Sequence, residues 1–140
     1  MDKKVRDLIE FLNTTRDTDT TYWYPLCTLK IDIPVVACNI DKIYKDNQIC
    51  LLEQILQLCT ISNVTMIQLN PGEVFENKNL VEILYARDKD GYDFPWCVEA
   101  YYYDATKQWM IYVSHEGTIT FVGEEMVKFA KEIIPEKYIL

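Results

Sequence analysis

The sequence predicts a single α+β domain over residues 1–140, with helices flanking a central antiparallel sheet. A chain of 140 residues has the size of one domain and can bury a sizeable core without metals or disulfides. Apolar residues recur with helical spacing near both ends and in the middle of the chain. The C-terminal third instead holds three β-prone runs divided by short polar segments, which indicates a β-meander.

The N-terminal segment predicts a short amphipathic helix, capped by Asp2 and followed from Asn13 by a polar loop that Pro25 closes. The helix is indicated by apolar positions at i, i+3, i+4 and i+7, namely Val5, Leu8, Ile9 and Leu12. Apolar and polar residues then alternate from Cys27 to Ile33, which predicts a half-buried strand.

The middle of the chain mixes clear and ambiguous signals. Segment 34–45 is apolar but irregular and predicts no particular element, and segment 79–86 fits either helix or strand. Asp46 is positioned to cap a helix with a wide apolar stripe that suits packing on two sides, made of Leu51, Leu52, Ile55, Leu56, Leu58 and Cys59. The run "VTMIQL" predicts a strand that ends at a turn containing Pro71 and Gly72.

The C-terminal third carries the clearest pattern. The runs "WCVEAYYYD", "KQWMIYVS" and "GTITFVG" predict three antiparallel strands. After Gly123, helical spacing returns in Met126, Phe129, Ala130 and Ile133, and Pro135 is expected to end this last helix.

The charge balance restricts the class of partner. Twenty-two acidic and 14 basic side chains give a net charge of −8, which repels nucleic acid and anionic membranes and attracts cationic partners. The first residues, "MDKKVRD", are highly charged and predict no signal peptide or membrane span, so we expect a cytoplasmic protein. Five cysteines without a C-x-x-C pair indicate free thiols in a reducing compartment.

His115 is the only histidine and stands beside Glu116 in "SHEGTI". A zinc-protease helix would need a second histidine where Ile119 stands, so the motif fails. Glu116 and Gly117 instead fit the centre of a tight hairpin, with the pairs His115–Thr118, Val113–Thr120 and Ile111–Val122. This favours a structural histidine. The alternative is a small hydrolase or metal-dependent enzyme centred on His115 and using Glu116 and a cysteine.

No motif in the sequence predicts a cofactor or a metal. The loop "DKDGYD" resembles a calcium loop only superficially, because aligning Gly91 with the conserved glycine puts Ala86 at the first ligand position and Cys97 at the twelfth. Phosphate-binding loops and nucleophile elbows do not occur.

Tyrosines indicate a surface for a protein partner. If alternate residues of the run at 98–103 form the core side, the other residues project outward and combine tyrosine with negative charge. The predicted partner-binding residues are Glu99, Tyr101 and Tyr103 with the acidic loop residues Asp88, Asp90 and Asp93. In the alternatives, a helix covers both faces, or the tyrosines fill the core while their hydroxyls reach water.

The segment from Trp109 to Gly123, with "IYVSHE" and "TITF" before a final helix, resembles the C-terminal pattern of small uncharacterised bacterial proteins, some of which are immunity proteins of polymorphic toxins. The resemblance implies a non-catalytic protein that inhibits a toxin by direct binding, with a basic toxin domain as the partner. A further alternative is a self-associating structural module, so both a monomer and a homodimer fit the sequence.

Overall fold

The computed structural model describes residues 3–15, 33–68, 72–85 and 99–140. These residues form five α-helices, a terminal 3-10 helix and one antiparallel sheet of six strands, which confirms the predicted α+β class. In chain order the elements are α1 (Lys3–Thr15), β1 (Val35–Asn39), α2 (Ile40–Lys45), α3 (Cys50–Leu58), β2 (Asn63–Gln68), β3 (Glu73–Asn79), α4 (Leu80–Tyr85), β4 (Ala100–Tyr103), β5 (Met110–Val113), β6 (Thr118–Val122), α5 (Glu124–Ile133) and the 3-10 helix (Glu136–Tyr138).

The strands lie in the order β1-β6-β5-β4-β2-β3. The predicted meander is confirmed, since β4, β5 and β6 are consecutive antiparallel neighbours at the centre of the sheet. The strand predicted in "VTMIQL" is confirmed as β2, which pairs with β4 on one side and with β3 on the other.

The register predicted for the β5–β6 hairpin is wrong by one residue. Val113 lies opposite Ile119, and Ile111 lies opposite Phe121. The chain reverses over three residues, His115 to Gly117, and the amide of Ser114 donates to the carbonyl of Thr118 at 3.0 Å. Gly117 has φ +79°, the left-handed conformation that closes three-residue hairpin loops. The extra loop residue shifts every pair of the ladder by one position.

Two strand-to-helix junctions explain the segments that the sequence left unassigned. β1 passes directly into α2 at Asn39, whose side chain accepts from the amide of Lys42 at 3.0 Å. β3 passes directly into α4 at Asn79, whose side chain accepts from the amide of Glu82 at 3.1 Å. Segment 34–45 joins an element of period two to one of period 3.6 without a loop, and segment 79–86 holds a helix of six residues after its cap, so no period extends far enough in either segment to be recognised.

Asp46 does not begin α3 as predicted. It follows α2, where its amide donates to the carbonyl of Lys42 and its carboxylate accepts from the hydroxyl of Tyr138 at 2.7 Å. α3 begins at Cys50, and its apolar stripe packs on the sheet, on α4 and on α5, although Leu58 stays half-exposed. α5 is confirmed and ends before Pro135, and α1 extends to Thr15, beyond the predicted end.

The sheet has two buried faces. The helix face carries α2 to α5, and its core includes Tyr102, Ile111 and Phe121. The opposite side, which we call the tyrosine face, packs on α1 and holds a smaller cluster, consisting of Val5, Leu8, Ile67, Tyr101, Tyr112 and Val122. Of the two alternatives to an exposed tyrosine surface, this arrangement corresponds to helices on both faces.

Several predictions fall outside the described residues: the cap at Asp2, most of the strand at 27–33 and the loop at 86–97. Within the described residues, no helix has both the length and the apolar character needed to cross a bilayer.

Candidate functional site

The expectation that Tyr101 projects into solvent is wrong. Its side chain is 0% exposed and stacks on Tyr112, with the ring centroids 4.5 Å apart and the planes 23° from parallel. Alternation along β4 does separate Tyr101 from Tyr102, but α1 and the neighbouring strands supply a second core on that side. Tyr101 therefore contributes to folding and is not an anchor for a partner.

Glu99 and Tyr103 lie at the two ends of this buried stack. The Glu99 side chain is 20% exposed and accepts a hydrogen bond from the hydroxyl of Tyr112. Tyr103 is half-buried against the second cluster. The remaining predicted partner residues, Asp88, Asp90 and Asp93, lie outside the described residues.

His115 lies in the reversal between β5 and β6, as predicted, with 51% of its side chain exposed. Nδ1 is 3.5 Å from Glu99, and Nε2 is 3.4 Å from Glu116. A protonated imidazole in this position can pair with both carboxylates and so join the loop to the segment before β4. The geometry supports a structural role for His115, in which its side chain links the hairpin loop to the segment before β4.

The neighbouring serine also serves the turn. Ser114 Oγ lies 2.6 Å from the hydroxyl of Thr118 and accepts from the amides of Glu116 and Thr118 at 3.2 and 3.3 Å. These hydrogen bonds of the oxygen therefore all lie within the loop, which disfavours a role for Ser114 as a nucleophile beside His115.

The described cysteines differ in environment. Burial raises the pKa of Cys38 to about 12, and burial together with the charge of Glu125 raises the pKa of Cys59 to about 11, so both thiols stay protonated near neutral pH. Cys50 is exposed, and Cys27 and Cys97 lie outside the described residues. No cluster of three or more metal-ligating side chains occurs in the part of the chain that the structure describes.

A groove of about 710 Å³ opens where three elements meet: the β4–β5 turn, the end of α3 and the start of α5. Volumes of this order are typical of binding sites. The lining residues are Cys59, Thr60, Asp104, Thr106, Gln108, Trp109, Glu124, Glu125, Met126 and Lys128.

Asp104 organises one wall of the groove. Its Oδ1 accepts from the amide and the hydroxyl of Thr106, which fixes the turn after β4. Its Oδ2 accepts from Nε1 of Trp109 at 2.9 Å, which fixes the edge of the half-buried indole. The carboxylate and the ring are therefore held in place before any ligand arrives.

Gly123 allows the start of α5 to lie close to the segment that carries Gln108 and Trp109. A Cβ at this position would lie 2.5 Å from the carbonyl oxygen of Gln108 and 3.1 Å from Cα of Trp109, and the residue has φ +120°. Since only glycine tolerates both the contact and the dihedral angle, the start of α5 packs directly on the segment before β5, which carries Trp109.

The groove is predominantly acidic. Asp104, Glu124 and Glu125 line it, and no basic side chain among the described residues forms an ion pair with Glu124 or Glu125. Lys128 is the basic side chain of the described lining, and its ammonium lies 5.8 Å from the ring centroid of Phe129. The charge of the groove therefore has the same sign as the net charge of −8.

Sequence reasoning missed this groove because its residues come from segments far apart in the chain. Two local signals existed: "DATK", in which Asp104 and Thr106 have the spacing of a side-chain-closed turn, and Gly123 followed by two glutamates at a helix start. Neither signal indicates that the two segments meet.

In comparisons with known proteins, the chain matches no family model, no characterised protein and no solved structure.

Proposed function

We propose that this chain is a non-catalytic protein-binding module that neutralises a basic protein partner by direct contact, in the manner of an immunity protein. The observation that carries the proposal is the acidic groove, in which three carboxylates and an indole line a space large enough for a segment of another chain. The proposal places the protein in the cytoplasm, as a monomer or homodimer, with a basic toxin domain as its partner.

Electrostatics supports this assignment on two length scales. At long range, a net charge of −8 draws cationic proteins toward the surface and raises the association rate. At short range, Glu124 and Glu125 line the groove without an ion pair to any described basic side chain. A basic partner would supply cations for such ion pairs, whereas a nucleic acid would meet repulsion.

The environments of the reactive side chains favour binding over catalysis. The thiols of Cys38 and Cys59 are poor nucleophiles because burial raises the pKa of each. His115 is half-exposed at a loop, and the adjacent Ser114 is engaged in the turn. These observations support structural roles for these two cysteines, His115 and Ser114, which are the side chains that an enzyme would use as nucleophile or base.

The experiment begins with the gene directly upstream. We expect it to encode a large secreted protein with a variable C-terminal domain, and we expect expression of that domain alone to stop bacterial growth. Co-expression of this chain should restore growth, and the two purified proteins should form a complex whose affinity falls as salt rises. A complex without loss of toxicity, or toxicity unaffected by this chain, would contradict the proposal.

A further inference from the structure

We propose that the acidic groove is an arginine-binding site, which holds the side chain of an arginine from a basic partner segment against Trp109, with its guanidinium directed at the surrounding carboxylates. This inference rests on the proposed function, because it names the chemical group by which the partner is recognised.

The floor of the groove suits the aliphatic part of such a side chain. The lining includes Cys59, which is half-buried and whose thiol is uncharged, and, next to solvent-exposed groups, also Met126, which is almost fully buried. Arginine buries its methylene stem along apolar surfaces of this kind while the charged head stays near polar groups. An acidic or small polar side chain would gain nothing from the same floor.

Trp109 supplies an aromatic surface at the side of the groove. Its indole edge is engaged with Asp104, so the hydrogen bond fixes the ring without using its face. Indole is the strongest aromatic partner for a cation, and guanidinium stacks on it more often than ammonium does. The basic side chain within the described lining, Lys128, lies over Phe129 instead.

The carboxylates around the ring match a donor group with several N–H bonds. Asp104 is held by Thr106 and Trp109, so one acceptor is pre-positioned. Glu124 and Glu125 are exposed and come from a different element, which places acceptors on another side of the groove. A planar guanidinium with five donors can address acceptors on more than one side, whereas an ammonium acts as a point charge.

The two glutamates also have a structural role that the test must separate from binding. Acidic residues in the first turn of α5 interact favourably with the helix dipole. Neutralising them is therefore expected to affect stability slightly as well as binding, so each variant is first compared with the parent protein by thermal melting.

The test uses isothermal titration calorimetry with acetylated and amidated hexapeptides that alternate glycine with arginine, lysine or citrulline. Citrulline keeps the size of arginine but lacks its charge. We expect the arginine peptide to bind, the lysine peptide several-fold more weakly, and the citrulline peptide about tenfold more weakly or worse. Equal binding of the citrulline peptide would overturn the site, and equal or tighter binding of the lysine peptide would overturn the preference for guanidinium.

A matched pair of variants locates the binding. Glu124→Gln with Glu125→Gln should weaken the arginine peptide about tenfold, whereas the control, Glu132→Gln with Glu136→Gln, should change it less than about twofold. Both variants remove two negative charges at exposed positions, so both change the net charge by the same amount. Equal weakening by both variants would mean that the peptide responds to net charge alone and would overturn the site.

Trp109→Leu removes the aromatic surface and should weaken the arginine peptide more than it weakens the lysine peptide. If this variant does not fold, the variant with both glutamates replaced still decides the question.

Repeating the growth-rescue assay with the glutamate variants separates the two proposals. If the variant Glu124→Gln with Glu125→Gln still rescues growth, the groove is not the arginine-binding site, and the proposed function remains. If the unaltered chain does not rescue growth, the proposed function is contradicted, and the calorimetry still decides whether the groove binds arginine.

Discussion

Two adjacent tyrosines of β4 face opposite sides of the sheet and meet different surroundings. Tyr102 lies on the helix face, beside Leu52, Leu80 and Phe121, and its buried hydroxyl has no hydrogen-bond partner among the described residues. Tyr101 lies on the tyrosine face and stacks on Tyr112, whose hydroxyl donates to Glu99.

The difference shows that alternation along one strand places identical side chains in different surroundings, in which one hydroxyl lies among apolar groups and the neighbouring ring stacks on a tyrosine bonded to a carboxylate. On the helix face, the hydroxyl of Tyr102 loses water without gaining a partner, and burial raises the pKa of this tyrosine above its ordinary value. On the tyrosine face, a partly exposed carboxylate completes the pairing of Tyr112. Hydrogen bonding on that face is also incomplete, since Thr120, opposite Tyr112, has a buried hydroxyl with no partner in the described part of the chain.

The largest expected effect comes from breaking the helix face. Phe121 is 1% exposed, and Phe121→Ala should lower the free energy of unfolding by about 3–5 kcal/mol, because it removes a large apolar group and leaves a cavity. The next residue, Val122, faces the other side of the sheet. Val122→Ala should lower the free energy of unfolding by about 2 kcal/mol, because the side chain loses two carbon atoms. Urea unfolding measures both values. If Val122→Ala were the more costly change, the tyrosine face would be the dominant core.

A smaller effect is expected on the tyrosine face. Tyr112→Phe removes the hydroxyl that donates to Glu99 but keeps the ring on Tyr101. Hydrogen bonds to charged groups contribute about 1.5–3 kcal/mol, and we expect a loss of about 1–2 kcal/mol here because water can reach the partly exposed carboxylate. Chemical unfolding at neutral pH gives the value. A change within error would mean that the bond is not formed in solution.

The smallest effect has the opposite sign. Tyr102→Phe removes the unpartnered hydroxyl and should raise the free energy of unfolding by up to about 1 kcal/mol, since no hydrogen bond is lost and a desolvated group is eliminated. The observable is the melting temperature, compared directly with that of Tyr112→Phe. Destabilisation of both variants would contradict the contrast between the two faces.

The parts of the fold that sequence reasoning predicted are those in which one period persists. The meander consists of β-prone runs divided by short polar segments, and α5 repeats apolar residues at helical spacing, so each was recognisable from its local pattern. β1 and β3 were missed because each ends in an asparagine that caps a helix at once. β3 is also mostly polar, as suits a strand at the edge of a sheet.

The candidate site was less predictable than the fold. The sequence indicated an acidic, aromatic binding protein, and the groove has that composition, but its described lining contains none of Glu99, Tyr101 and Tyr103, and the three predicted aspartates lie outside the described residues. Sequence alternation shows that Tyr101 and Tyr102 face opposite ways, yet it does not show what covers each side. Exposure depends on α1, which lies far from β4 in the chain.

The sequence by itself determined the class of fold, the charge and the position of His115 at a reversal of the chain, because these follow from local patterns and from composition. Only the tertiary structure decided the register of the last hairpin, the burial of Tyr101 and the meeting of Asp104, Trp109 and Glu124 in one groove. The physical reason is that one additional loop residue shifts a whole ladder without changing the local pattern, whereas the packing of α1 and the close approach at Gly123 depend on contacts between segments far apart in the chain.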